Sequence, residues 1–278
     1  MKLIADSGSS KTHWCLIQDQ GDIVEYHTIG FNPFFVTEDI VTKELDDKGF
    51  RAIKNQVKEI LFYGAGCSNI ERNQFLQTIF SQYFTSAETI TVDHDMLGAC
   101  IALFNQNEGI ACILGTGSNS CVYDGKNITQ NVAALGYILG DEAGGAYFGK
   151  EILKHYIYKT VPKDIYEYMS LELKLDKEDI FNAIYKEALP NRYMASFSTI
   201  FSKFRTHEFI QNILMKGFDE FIQYHILCYP ESKKYPIGMV GSIAFHFREE
   251  IERALKRYDL KLHTVLKSPI EGIVKYKN

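Results

Sequence analysis

Two short segments of this chain have the composition of phosphate cradles. Asp6-Ser7-Gly8-Ser9-Ser10-Lys11-Thr12 and Gly115-Thr116-Gly117-Ser118-Asn119 consist largely of glycine and small hydroxyl residues. Small or absent side chains let backbone N–H groups approach an anion, while serine and threonine add donors. Either segment alone would also serve as a simple hairpin turn. Their recurrence, with an acidic residue directly after the first apolar stretch and a further Gly241-Ser242 late in the chain, favours a nucleotide site. Phosphoryl transfer to a hydroxyl also needs a carboxylate that takes the hydroxyl proton and orients its oxygen toward phosphorus. Asp95 is the candidate, placed between the apolar stretches Thr89–Val92 and Met96–Phe104. Its alternative role is the N-cap of the helix that follows, and Asp93 is its nearest competitor as base.

The elements that must position these residues alternate between strand and helix. Residues 2–5 read as a buried strand, followed by the small-residue turn and by strands at Thr12–Gln18 and Ile23–Thr28. The same order returns at Ile110–Leu114, Ser120–Tyr123 and Ile128–Val132, which points to a duplicated unit. Between the copies lie strands at Glu59–Tyr63 and Thr89–Val92 and a helix at Ile70–Phe80. Beyond Asp141 the spacing predicts helices at Ile152–Lys159, Lys177–Leu189, Tyr193–Phe204 and Glu208–Cys228, then a strand Pro236–Val240 and a helix Phe245–Leu255. Such alternation indicates a parallel-containing α/β sheet.

With 278 residues, the chain exceeds the usual domain size of roughly 100–200 residues, so two domains are expected. The expected boundaries are 1–107 with the tail 263–278 for the first, and 108–262 for the second. A net charge of −5 gives no electrostatic reason for a nucleic-acid partner. No stretch approaches the roughly 20 apolar residues of a membrane helix, and the apolar start is too short for a secretion signal. The six cysteines contain no C-x-x-C pair and read as buried, reduced thiols of a cytoplasmic protein. The eight histidines show no ligand spacing and read as surface or core residues.

In their order along nearly the whole chain, these segments resemble the N-acetylglucosamine kinase family, with its BadF/BadG-type ATPase relatives. That family belongs to the superfamily of sugar kinases, heat-shock ATPases and actin. Its D-G-G-G-T-K-T motif stands here as Asp6 to Thr12, its G-T-G-S-N as Gly115 to Asn119, and its G-D-E-G-S-G as Gly140-Asp141-Glu142-Ala143-Gly144-Gly145. Val240-Gly241-Ser242 matches the adenosine motif and Pro269 to Gly272 a terminal P-x-x-G. Ser7, Ser9 and Ala143 replace family glycines.

The resemblance implies two ribonuclease H-like (actin-like ATPase) domains with an interdomain cleft, and ATP with Mg²⁺ as cofactors. It implies nucleotide contacts at Gly8, Ser9, Ser10, Lys11, Thr12, Gly115, Thr116, Gly117, Ser118, Gly241 and Ser242. Asp6 would face the metal through water, and Asp95 would be the base. Asn32, Thr116, Asn119 and Asp141 would bind a small-molecule amino sugar, while a homodimer stays open. Two rivals remain: an iron–sulfur ATPase that activates a partner reductase or dehydratase, and a non-catalytic nucleotide or sugar sensor. The first needs clustered cysteines that the sequence lacks.

Overall fold

The computed structural model describes residues 1–8 and 10–277. The chain divides into two compact units. One comprises Met1–Asn107, Asp124–Ile128 and the chain from Ser268 onward; the other comprises Glu108–Tyr123 and Thr129–Lys267.

The first unit is built on β1 (Lys2–Ser7), β2 (Lys11–Ile17), β3 (Ile23–Ile29), β4 (Glu59–Gly64) and β5 (Thr89–His94), in the order β3-β2-β1-β4-β5. β1, β4 and β5 run parallel, while β2 is antiparallel to both β1 and β3. β4 is buried along nearly its whole length, as a central strand covered on both faces must be. On one face Trp14 packs edge-on or tilted against Phe31, Phe50, Phe62 and Phe80, with ring centroids 5.3 to 5.9 Å away. Its indole N–H donates to Thr28 Oγ1 at 3.0 Å, so the largest core side chain leaves no polar atom unpaired.

The second unit repeats the arrangement with β6 (Glu108–Leu114), β7 (Ser118–Asp124), β8 (Ile128–Asn131), β9 (Ile237–Val240) and β10 (Leu262–Leu266). Read from the β8 edge, its order is β8-β7-β6-β9-β10, the same permutation as in the first sheet. β6, β9 and β10 are parallel. A large core of aromatic and aliphatic side chains from helices such as Gly145–Ile157 and Glu208–His225 packs in this unit.

Several boundaries differ from those read in the sequence. β1 extends through Asp6 and Ser7, because Ser7 is paired on both sides, with Thr12 and with Gly64. Residues 263–266, expected in the tail of the first unit, instead belong with Leu262 to β10 on the second sheet, since that strand pairs with β9. The helix expected at 152–159 begins at Gly145, where glycines obscured its start. The apolar stretch from Tyr193 is split at Phe197 into helices Pro190–Ser196 and Ser198–Lys203. Five cysteines are buried, but Cys228, just beyond the helix Glu208–His225, is exposed.

The helix Ile270–Lys277 packs on the helix Asp95–Phe104 of its own unit through small residues. A Cβ on Gly272 would stand 2.7 Å from the Ala102 carbonyl oxygen, and one on Gly98 would stand 2.8 Å from Tyr63 Cβ. Only glycine admits this approach. Among the described residues no helix is long and apolar enough to cross a membrane.

Candidate active site

Parallel strands of an α/β sheet present ligand-binding groups at their carboxyl ends, and the first sheet places its acidic residues there. Asp6 lies beside Tyr63 of β4, which in turn lies beside Asp93 of β5. Asp95 opens the helix that follows β5. It does not cap that helix: His94 does, with Nδ1 accepting from the Leu97 N–H at 3.2 Å. Asp95 Oδ1 accepts from the adjacent Met96 N–H at 2.9 Å, and the carboxyl is also bonded by its own backbone N–H, so it reaches none of the N–H groups further into the helix that a cap would hold. Asp93 Oδ1 accepts from the His94 N–H at 2.8 Å.

Desolvation is the main influence on both carboxyls. It raises the proton affinity of Asp95 above the ordinary carboxylate range, opposed by His94 and by the Met96 N–H. Desolvation, reinforced by the charge of Asp95, pushes Asp6 up to about 7. The Ser268 hydroxyl, 3.2 Å from Asp6 Oδ2, and the charge of Lys11 oppose this rise. Two enclosed carboxyls that repel each other without a full counter-charge form a donor set that fits a hard divalent cation such as Mg²⁺.

The first phosphate-type turn is held from beneath. The Gly8 N–H donates to the Lys11 carbonyl at 3.0 Å. Thr12 Oγ1 donates to the Ile29 carbonyl at 2.9 Å, and the Phe31 N–H donates to Ser7 Oγ at 3.0 Å. Thr12 has one hydroxyl proton and has used it, so Ser7 donates across the 2.8 Å contact between the two hydroxyls. Ser7 and Thr12 are fully buried. The Thr12 hydroxyl thus anchors the turn, with both of its hydrogen bonds made to protein groups. Ser7 sits in extended strand rather than at positive φ, which is why serine serves where the family has glycine. Ser10 is half-buried and Lys11 exposed, while Ser9 lies outside the described residues.

Asn32 is buried beside Gly66, whose φ of +84° and lack of a Cβ make room for its amide. Asn32 Oδ1 accepts from the Phe34 N–H at 3.0 Å, and no described group accepts from its Nδ2.

In the second unit the loop after β6 is fixed by the segment around Asp141. Gly145 N–H and Ala146 N–H donate to the carbonyls of Gly115 and Thr116, each at 2.8 Å. Asp141 Oδ1 accepts from the Ser118 N–H at 3.1 Å. A Cβ on Gly117 would stand 2.7 Å from the Asp141 carboxylate, so that glycine lets the acid sit on the loop. Asp141 and Ala143 both adopt left-handed backbone, with φ of 57° and 58°. Aspartate tolerates this region, whereas at Ala143, a family glycine, the Cβ is strained by about 1 kcal/mol.

Desolvation raises the Asp141 carboxyl, with Ser118 N–H opposing it. Glu142 is drawn aside by His225, 3.1 Å away, whose ring stacks on Phe221 with centroids 4.7 Å apart. Ser118 Oγ is buried with no partner among the described residues, an orphaned hydroxyl of the kind a ligand would satisfy. Asn119 Oδ1 accepts from Ser120 N–H at 2.8 Å and from Asn131 Nδ2 at 3.2 Å. Gly241, at φ +118°, abuts the Leu114 carbonyl and the Gly115 N, which brings Gly241-Ser242 against the start of the loop. Sequence reasoning missed Ser268 and His94. Only the position of Ser268 just ahead of Pro269-x-x-Gly272 hinted at the former.

No protein-family profile matches the chain, and no curated protein matches it. Solved structures do. A Porphyromonas gingivalis protein provisionally named an N-acetylglucosamine kinase is 36% identical, covering 99% of this chain and 98% of its own with a TM-score of 0.94. A Chromobacterium violaceum protein given the same provisional name is 14% identical, with 100% and 98% coverage and a TM-score of 0.76, and shares the fold. A non-polymerising MamK mutant bound to AMPPNP is 10% identical, with 98% and 95% coverage and a TM-score of 0.57. That fold is the actin-like ATPase fold, in which two α/β units of common topology occur in one chain.

Proposed function

The chain belongs to the N-acetylglucosamine kinase family of actin-like ATPases, and from that premise we propose that it transfers the γ-phosphoryl group of ATP to a hydroxyl of an amino sugar. N-acetylglucosamine or a related N-acetylhexosamine is the expected acceptor. The observation that carries this reading is the carboxylate of Asp95: it is desolvated, relieved of capping by His94, and close enough to Asp6 for their charges to interact.

In this reading Asp95 accepts the proton of the attacking sugar hydroxyl and aims its oxygen at the γ-phosphorus. A carboxylate with raised proton affinity is better matched to that task near neutral pH than an ordinary surface aspartate. Ser9, Ser10 and Lys11, together with Thr116, Gly117 and Ser118, supply the N–H, hydroxyl and ammonium donors for the phosphates, while Gly8 and Gly115, whose own N–H groups are held by the Lys11 and Gly117 carbonyls, leave room for them. Gly241 and Ser242 lie against the adenosine. Asp6, oriented by Ser268, would hold Mg²⁺, which supplies charge neutralisation at the phosphate oxygens. Asn32 through its Nδ2, together with Thr116, Asn119 and Asp141, binds the hydroxyls and N-acyl group of the sugar.

A coupled ADP-release screen across amino sugars and their N-acyl and lactyl derivatives tests the reading. Turnover with an N-acetylhexosamine is expected. ADP release that no sugar accelerates would reject it in favour of a plain ATPase.

A further inference from the structure

The β2–β3 hairpin carries a group of side chains that phosphoryl transfer does not use. His13 and His27 face each other across the antiparallel pair, with ring centroids 4.4 Å apart. Glu25, two residues before His27 on β3, places Oε2 3.0 Å from His13 Nε2. One donor atom from each of the three residues lies within 4.8 Å of the others. The separation along the chain conceals the group; strand pairing assembles it.

We propose that His13, Glu25 and His27 bind a divalent transition-metal ion of the zinc, nickel or copper(II) class, at a site separate from Asp6. Two imidazoles and a carboxylate are a donor set such ions favour, whereas magnesium prefers oxygen alone. With bonds of about 2.0–2.2 Å, two donors on one tetrahedral zinc stand roughly 3.3 Å apart. The 3.0 Å between Glu25 Oε2 and His13 Nε2 is already close to that separation, so the ion takes the place of the proton these atoms share. Seven consecutive residue pairs join β2 to β3, so the ligands are brought together by the fold and little ordering remains for the ion to impose. His27 and Glu25 are exposed, which gives an ion access and leaves coordination positions for water or an anion. The ammonium of Lys11, whose charge also reaches His13, is the opposing feature, and solvent weakens it at this exposed position. On the other side His13 lies beside Asp6 in the β1–β2 register. The row His27, His13, Asp6 therefore crosses the sheet on one face, and the ion sits one strand away from the acidic edge.

The test uses the untagged full chain, freed of metal. Calorimetric titration with Zn²⁺ should show one saturable site, weakened by about tenfold or more in His27→Gln and in Glu25→Gln. Both side chains are at the surface, and circular dichroism verifies that each variant folds. The electron paramagnetic resonance spectrum of one equivalent of Cu²⁺ should show coupling to two imidazole nitrogens in the wild type and to one in His27→Gln. No saturable wild-type site, or unchanged Zn²⁺ affinity in the His27→Gln/Glu25→Gln double variant, overturns the proposal. Because sugar phosphorylation is not the readout, the outcome is independent of the kinase assignment.

Discussion

The hydroxyl of Ser268 donates to a carboxylate oxygen of Asp6 across 3.2 Å, joining residues 262 positions apart in the chain. A hydrogen bond to a charged group contributes about 1.5–3 kcal/mol, and this one favours the ionised form of Asp6. Ser268→Ala should therefore raise the Mg²⁺ concentration for half-maximal ADP release by about tenfold. An unchanged magnesium requirement in a folded variant would show that Ser268 has no hold on Asp6.

Removal of the Asp6 charge should stabilise the metal-free protein at alkaline pH. The carboxyl titrates near 3.8 in the unfolded chain and about 7 in the native state. The native state thus binds this proton more tightly, and the associated stability is fully present below the unfolded value and lost as pH rises through the native one. Thermal unfolding without metal should find Asp6→Asn more stable than wild type at pH 8, with the gap closing toward pH 4. Mg²⁺ should raise the wild-type midpoint at pH 8 and leave that of Asp6→Asn where it was.

Asp95→Asn keeps the size of the side chain and its contact with Met96 while removing the base. Sugar phosphorylation should fall by about 10²–10⁴-fold with nucleotide affinity nearly intact. Asp93→Asn, measured in parallel, should remain near wild type. The reverse pattern would move the base two residues upstream.

Asparagine can adopt the left-handed backbone of Asp141 and can still accept the Ser118 N–H. Asp141→Asn should accordingly leave the loop in place and weaken the sugar, with a rise of about tenfold in sugar KM, the scale of one charge-assisted hydrogen bond. A matching rise in ATP KM would instead assign Asp141 to the nucleotide.

Gly272→Val forces a branched side chain against Ala102, so the helices must separate. Overpacking of this kind costs about 1–3 kcal/mol, to be read as a lowered midpoint in chemical denaturation. Equal stability would mean that the two helices have room the structure does not display.

Strand alternation, the duplicated order of elements and the small-residue turns were legible in the sequence because they follow from local pattern. Asp95 could be singled out by its place between a strand and a helix, but not separated from a capping role. That distinction depended on His94, whose imidazole nitrogen accepts a backbone N–H as a cap residue does. Thr12 was legible as a motif position alone: its hydroxyl's buried pairing with Ser7 and Ile29 joins residues that only strand pairing brings together. Ser268 was beyond local reading, since its partner is near the other end of the chain.

The helix Ile270–Lys277 and Ser268 belong to the first unit, yet the ribosome makes them after the whole second unit. Chains emerge at roughly 5–20 residues per second and domains fold as they appear, so β1 to β5 can pair long before Ser268 exists. During that interval Asp6 lacks its hydroxyl partner and Gly98 and Ala102 lack the helix they fit. A message broken between the codons for Leu266 and Ser268 would yield a product with both sheets and an unfinished acidic edge. The acidic edge is thereby finished only after the second sheet has been made, and the small-residue face of the helix Asp95–Phe104 waits just as long for the helix that covers it.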